Sequence, residues 1–85
     1  MFINKTAEGY NNICGTNIAT YRKEMGLSQK KLADRLQLAG LDIDKNAIQR
    51  IEARLRFVTD IELLYFSEVL EKSIEKLLQT EAAAK

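Results

Sequence analysis

The sequence predicts an all-α domain of five helices, and three observations lead there. First, an apolar residue, a capping residue and a second apolar residue recur at the same offsets. They are Leu27-Ser28 with Leu32, Ile43-Asp44 with Ile48, and Val58-Thr59 with Leu63. Each set is an N-cap with a hydrophobic staple across the first helical turn. Second, the apolar residues between these starts recur at helical spacing, and no sustained period-two alternation marks a strand. Third, the chain has no proline and four glycines, so little interrupts a helix.

Each element follows from its own residues. Ile18, Tyr21 and Met25 lie on one helix face. Gly26 comes next, where a helix end needs a left-handed residue. Ser28 caps helix two, whose expected buried stripe is Leu32, Ala33, Leu36 and Ala39, ended by Gly40. Asp44 caps helix three, with Ile48, Ile51 and Leu55 as its apolar face. Thr59 caps helix four, where Glu62 completes a capping box and Leu63, Phe66, Ser67 and Leu70 form the stripe. Ser73 opens a short helix five carrying Ile74, Leu77 and Leu78. The last five residues, 81–85, form helix readily; they either prolong helix five or stand as a linker-like tail. Residues 1–12 read as an N-terminal arm, with Phe2, Ile3 and Tyr10 able to pack on the body.

Composition narrows the chemistry. At 85 residues, with 46% hydrophobic and 29% charged, this is one small globular domain. There is no histidine, which excludes a catalytic triad, a histidine base and every histidine-containing zinc site. Cys14, the single cysteine, makes neither an intramolecular disulfide nor a zinc cluster. It is expected to be a small helix-face residue. With no glycine-rich phosphate loop and no credible carboxylate pair, an enzyme, a metal and a cofactor are not expected. No run approaches a membrane span, and the opening residues lack a signal-peptide core, so the expected location is cytoplasmic.

Charge is polarised. Residues 16–59 carry nine basic and five acidic side chains, net +4, and residues 60–85 carry net −3. A basic centre suits an anionic partner, and an ordinary solvated surface accounts for it as well. Within it, the face of helix three opposite Ile48 and Ile51 shows Lys45, Asn46, Gln49 and Arg50. Arg and Lys pair with guanine edges, Asn and Gln with adenine. The set fits a major groove; a solvated helix face also has this composition.

Taken in order, Ile18-x-x-Tyr21-Arg22, Leu27-Ser28-Gln29-x-x-Leu32-Ala33-x-x-Leu36 and Ala47-Ile48-x-x-Ile51-Glu52 resemble the lambda-repressor-like (Cro/XRE type) helix-turn-helix family. Val58 through Leu70 and Ile74-x-x-Leu77-Leu78 are similar to its last two helices. The resemblance covers residues 13–79, leaving residues 80–85 as a tail. It implies a sequence-specific double-stranded DNA-binding regulator, a homodimer with recognition helices ~34 Å apart on a near-palindromic site. It implies base reading by Lys45, Asn46, Gln49 and Arg50. Ser28, Gln29, Arg54 and Arg56 would meet phosphates. Arg22 and Glu52 match an interhelical ion pair. Each also lies four residues beyond a core isoleucine, beside its stripe, where a lone charge is costly. Two separately solvated charges are the other reading.

Two departures stand out. Leu36 and Ile43 are about five residues further apart than in the family. Residues 37–39 are therefore expected to add a helical turn, with residues 40–43 as a lengthened connection, and Asp42 would repel phosphate slightly. The family's usual glycine is Arg54 here. Either Arg54 is left-handed, at a cost of ~1 kcal/mol, or helix three runs on. The modest +4 also admits a protein-interaction module on the same fold, an antitoxin or anti-regulator. The dimer contact is expected around Ile74, Leu77 and Leu78, unless these only close the core.

Overall fold

The computed structural model describes residues 5–80. Its helices are α1 (Gly15–Glu24), α2 (Gln29–Ala39), α3 (Lys45–Glu52), α4 (Asp60–Leu70) and α5 (Ile74–Leu77), with no strand among the described residues. The all-α, five-helix architecture is the one the capping pattern predicts.

Local chemistry sets the helix starts. The side chains of Ser28, Asp44, Thr59 and Ser73 each accept a hydrogen bond from the backbone N–H three residues on. Glu62 returns the favour to the Thr59 N–H, completing the capping box. Helix α1 alone lacks a capping side chain at the residue before it. Asn12 does the work from outside, its Oδ1 accepting from the Gly15 N–H at 2.9 Å.

Helices α1 to α4 each end on a left-handed residue. After α1, Gly26 is left-handed, the Gly26 N–H donates to the Lys23 carbonyl and the Leu27 N–H to the Arg22 carbonyl. This double closure is the Schellman motif. It recurs at Gly40 after α2 and at Arg54 after α3; after α4, Glu71 is left-handed and the N–H groups of Glu71 and Lys72 both donate to the Ser67 carbonyl. Two of the four closures therefore sit on residues with a Cβ, at φ 62° for Arg54 and 57° for Glu71.

The core is a single cluster in which Ile18, Leu32, Leu36, Ile48, Ile51, Phe66, Leu70 and Leu77 are fully buried. Helix α3 packs against α1 and α2, α4 against α1 and α2, and α5 against α1 and α4. The added turn of α2 forms as expected, through Ala39. The connection then folds back, with Gln37 Nε2 donating to the Ile43 carbonyl at 2.8 Å.

Three expectations need correction. Helix α3 does not run on: it ends at Glu52, and Arg54 takes the left-handed closure. Leu55 thereby leaves the apolar face assigned to it and stands 57% exposed. Ala39 is exposed rather than part of the α2 stripe, because it is the last residue before the Gly40 turn. In α5, Leu77 is wholly buried, Ile74 half-buried and Leu78 exposed. Phe2, Ile3 and residues 81–85 lie outside the described residues.

Cys14 is buried, and burial pushes its thiol up to about 11, so at neutral pH it is a small apolar residue. No helix among the described residues is long and apolar enough to cross a membrane.

Candidate nucleic-acid interface

Helix α3 has a sharply divided surface. Ile48 and Ile51 are fully buried, while Lys45, Asn46, Gln49 and Arg50 are all exposed. The four stand at i, i+1, i+4 and i+5, two rows side by side on the outward face. None of the four side chains makes a hydrogen bond or ion pair among the described residues. Asp44, the nearest acid in sequence, is occupied at the helix start with the Ala47 N–H at 2.8 Å. The face therefore offers two cations and two amides with unspent hydrogen-bonding capacity.

Beneath this face, an ion pair fixes α3 to α1. Arg22 Nε donates to Glu52 Oε2 at 2.7 Å and Nη2 to Oε1 at 3.0 Å, a bidentate contact. The two side chains are only 10% and 8% exposed. Arg22 Nη1 also holds the Leu27 carbonyl at 2.7 Å, in the turn between α1 and α2. Gln29 Nε2 donates to Glu52 Oε1 at 2.9 Å. One carboxylate thus ties together α1, α2 and α3, and the angle of the helix pair depends on it. The sequence pointed to the ion pair; it did not show that Gln29 joins it.

The four residues expected at phosphates are differently placed. Ser28 caps α2, its Oγ accepting from the Lys31 N–H at 3.0 Å, which leaves its hydroxyl proton available. Gln29 spends one amide proton on Glu52 and keeps the other. Arg54 lies with its guanidinium 3.6 Å from the centre of the Tyr10 ring, its donors unspent on hydrogen bonds within the protein. Arg56 is engaged. Its Nη1 and Nη2 grip both oxygens of Glu62 at 3.0 and 2.8 Å, and Nη1 also reaches the Phe57 carbonyl. This contact holds the Glu62 carboxyl below its ordinary range and raises the guanidinium further.

Sequence reasoning missed the clamp at the end of α3. Asn12, 8% exposed, donates from Nδ2 to the carbonyls of Ile51 and Arg56 at 3.1 and 2.8 Å. Asn11 donates its backbone N–H to the Arg54 carbonyl and its amide to the Leu55 carbonyl. Gly15 faces the Ile51 carbonyl so closely that no Cβ fits between them. The segment before α1 therefore holds the carbonyls at and just beyond the end of the outward helix, those of Ile51, Arg54, Leu55 and Arg56. Neighbouring asparagines just before a helix were the only sequence signal.

Two helices joined by a short connection, the second presenting a basic and amide-rich face over an apolar one, define a helix-turn-helix domain. A helix-turn-helix family model matches residues 18–77, well over half of the chain. The chain belongs to this family, the Cro/C1-type, XRE-like helix-turn-helix proteins, which are DNA-binding regulators. No curated protein and no solved structure gives a significant match.

Proposed function

We propose that this protein is a sequence-specific transcriptional regulator that inserts α3 into the major groove of double-stranded DNA. The observation that carries the reading is the outward face of α3, where Lys45, Asn46, Gln49 and Arg50 stand exposed with no partner among the described residues. Long polar side chains otherwise lose rotamer freedom on docking without gain; here they match the donor and acceptor patterns of base edges. Ser28, Gln29 and Arg54 keep donors available for phosphates. Arg56 would reach one only by sharing its guanidinium with Glu62. Two copies on a near-palindromic operator, with recognition helices ~34 Å apart, complete the arrangement.

Selection of bound sequences from a random DNA pool tests this. Enrichment of a two-fold symmetric site is the expected outcome. Binding should also weaken steeply with salt, because phosphate contacts release counterions. If no salt-dependent binding is found at all, the protein-interaction module on the same fold becomes the better reading, favoured by the exposed apolar side chains around the start of α4.

A further inference from the structure

We infer that the cleft between the segment before α1 and the end of α5 is a binding site for a small carboxylic acid with an apolar body, and that filling it strengthens the hold of the protein on DNA. The second half rests on the DNA-binding reading above; the site itself does not.

The cleft has a volume of about 320 Å³, within the range of small-ligand pockets, ~300–1,000 Å³. Its apolar wall comes from four places in the chain. Ile13 and Cys14 lead into α1, Val58 precedes α4, Leu63 lies in the first turn of α4, and Leu78 follows α5. Ile13 is 41% and Leu78 43% exposed, so packing within the chain leaves this wall open. The Cys14 thiol is protonated at neutral pH and adds no charge to it.

The rim supplies the polar end. Among the described residues, Lys5 is the only charged side chain that lines the cleft. Its ammonium donates one proton to Asn11 Oδ1 at 2.7 Å and has two more to give. Thr6 also lines the rim; its Oγ1 accepts from the Tyr10 N–H at 3.0 Å, which leaves the hydroxyl proton to donate. A closed loop holds both in place. The Thr6 N–H donates to the Tyr10 carbonyl, and left-handed Gly9 donates its N–H to the Thr6 carbonyl. The one carboxylate whose field reaches Cys14 is Glu62, and Arg56 holds both its oxygens. A cation and a hydroxyl at one end of an apolar cleft complement a carboxylate on a hydrocarbon or aromatic body. A cationic ligand would meet Lys5 with no acid on the rim to offset it.

One wall of the cleft is also the clamp on α3. Asn11, which takes the Lys5 proton on Oδ1, donates from Nδ2 to the Leu55 carbonyl at 2.6 Å and from its backbone to the Arg54 carbonyl. Asn12 also lines the cleft and donates to the carbonyls of Ile51 and Arg56. The cleft exists only while this segment lies on the body. Lys5, Thr6 and Ile13 come from the segment, and Val58, Leu63 and Leu78 from the body. A ligand that spans it binds the clamped arrangement and not an undocked one, and so shifts the population toward a fixed α3. By linkage, DNA strengthens the binding of the acid by the same factor.

The test is an amide NMR titration of the isotope-labelled full chain with hexanoate and phenylacetate, each beside its uncharged counterpart, hexanamide and phenylacetamide. The expected result is saturable binding of the acids, with shifts gathered at Lys5, Thr6, Asn11, Ile13 and Leu78, and weaker binding of the amides. Lys5→Gln should weaken the acids roughly three- to fivefold, as loss of an exposed ion pair does, and leave the amides unchanged. Leu78→Asn should weaken acid and amide alike. Both side chains are exposed, so the variants should keep the spectrum of the folded protein; if Leu78→Asn does not, Ile13→Asn takes its place with the same expectation. Acids that bind no better than amides, or that ignore Lys5→Gln, overturn the site. Binding seen only in Phe2→Ala overturns it too, because the chain's own first residues would then fill the cleft. Duplex affinity is measured with and without saturating hexanoate at matched ionic strength. A tightening of about fivefold in the unmutated protein is expected, and a smaller one in Leu78→Asn at the same concentration. Occupancy with no effect on the duplex overturns the coupling. If the acids bind as expected and no duplex does, the regulator reading falls and the site stands; if a duplex binds and the acids do not, the reverse holds.

Discussion

Glu52 is the place where removing one side chain should do the most damage. Its carboxylate is 8% exposed and accepts three charge-assisted or polar hydrogen bonds, two from Arg22 and one from Gln29. In Glu52→Ala, the Arg22 guanidinium stays buried with only the Leu27 carbonyl as partner. Breaking one side of a buried pair costs ~3–5 kcal/mol. A domain of this size has only ~4–13 kcal/mol of stability, at ~0.05–0.15 kcal/mol per residue. The loss is therefore a large share of the total. Replacing both partners tells a different story. Arg22→Met/Glu52→Leu removes the buried charges together, and such exchanges are often neutral or stabilising. Here the Gln29 amide and the Leu27 carbonyl also lose a partner, which adds ~1–2 kcal/mol. The double variant should still be more stable than Glu52→Ala. Urea unfolding followed by circular dichroism measures this. With a slope of ~1 kcal/mol per molar for a small domain, the Glu52→Ala midpoint should fall by more than ~2 M. A cost below ~1 kcal/mol for Glu52→Ala, or a double variant equal to the sum of the singles, would refute the reasoning.

Further expectations follow from the same geometry. Arg50→Ala and Asn46→Ala should each cost ~1–3 kcal/mol on the preferred DNA and relax preference at one base position, as binding isotherms on specific and scrambled duplexes will show. Arg54→Gly should change stability by less than ~1 kcal/mol, since relief of the left-handed Cβ offsets loss of the Tyr10 stack. It should weaken binding to all duplexes alike and lower the salt slope by about one contact. Asn12→Ala should leave the Gly15 N–H and the Arg56 carbonyl without partners and the Ile51 carbonyl with one fewer, and cost ~2–4 kcal/mol, lowering the melting temperature by ~10 °C or more. For Glu62, the folded carboxyl titrates below its unfolded value, chiefly through the Arg56 contact. Its contribution is thus present above the unfolded value, ~4.3, and lost as pH falls through the lower folded one. Glu62→Gln should flatten the pH dependence of stability below ~4.5; an unchanged slope refutes the assignment.

What was legible in the sequence was what is local. The caps at Ser28, Asp44, Thr59 and Ser73 are satisfied within three residues, so a reader of sequence sees donor and acceptor together. The closures at Gly26 and Gly40 carry their own marker. Leu55 was misplaced because its spacing continues the α3 stripe, and spacing cannot show that the backbone turns two residues earlier. The ion pair of Arg22 and Glu52 was legible because each lies beside an apolar stripe. The partners of Arg54, Arg56 and Asn12 were not. Asn12 meets carbonyls 39 and 44 positions away, and Arg56 meets a carboxylate whose capping role already explained its presence. Contacts between irregular segments have no period, and only the folded chain brings them together.

Those illegible contacts converge on one place, the C-terminal end of α3, and this bears on how the protein would read DNA. A reading helix must be held at a fixed depth and tilt, since a base-edge hydrogen bond tolerates only a few tenths of an ångström. The apolar face of α3 fixes depth through Ile48 and Ile51. Tilt needs an anchor at each end. At the start, Asp44 and the folded-back connection supply it. At the end, the carbonyls of Ile51, Arg54, Leu55 and Arg56 are all held by Asn11 and Asn12. Arg54 then carries a cation to that anchored end, where glycine would leave none. Its left-handed backbone costs ~1 kcal/mol and its stack on Tyr10 returns a similar amount. On the proposed function, the segment before α1 would thus act as part of the reading element without carrying a base-reading side chain itself. Among the described residues before α1, Asn11 and Asn12 make that contact with the body.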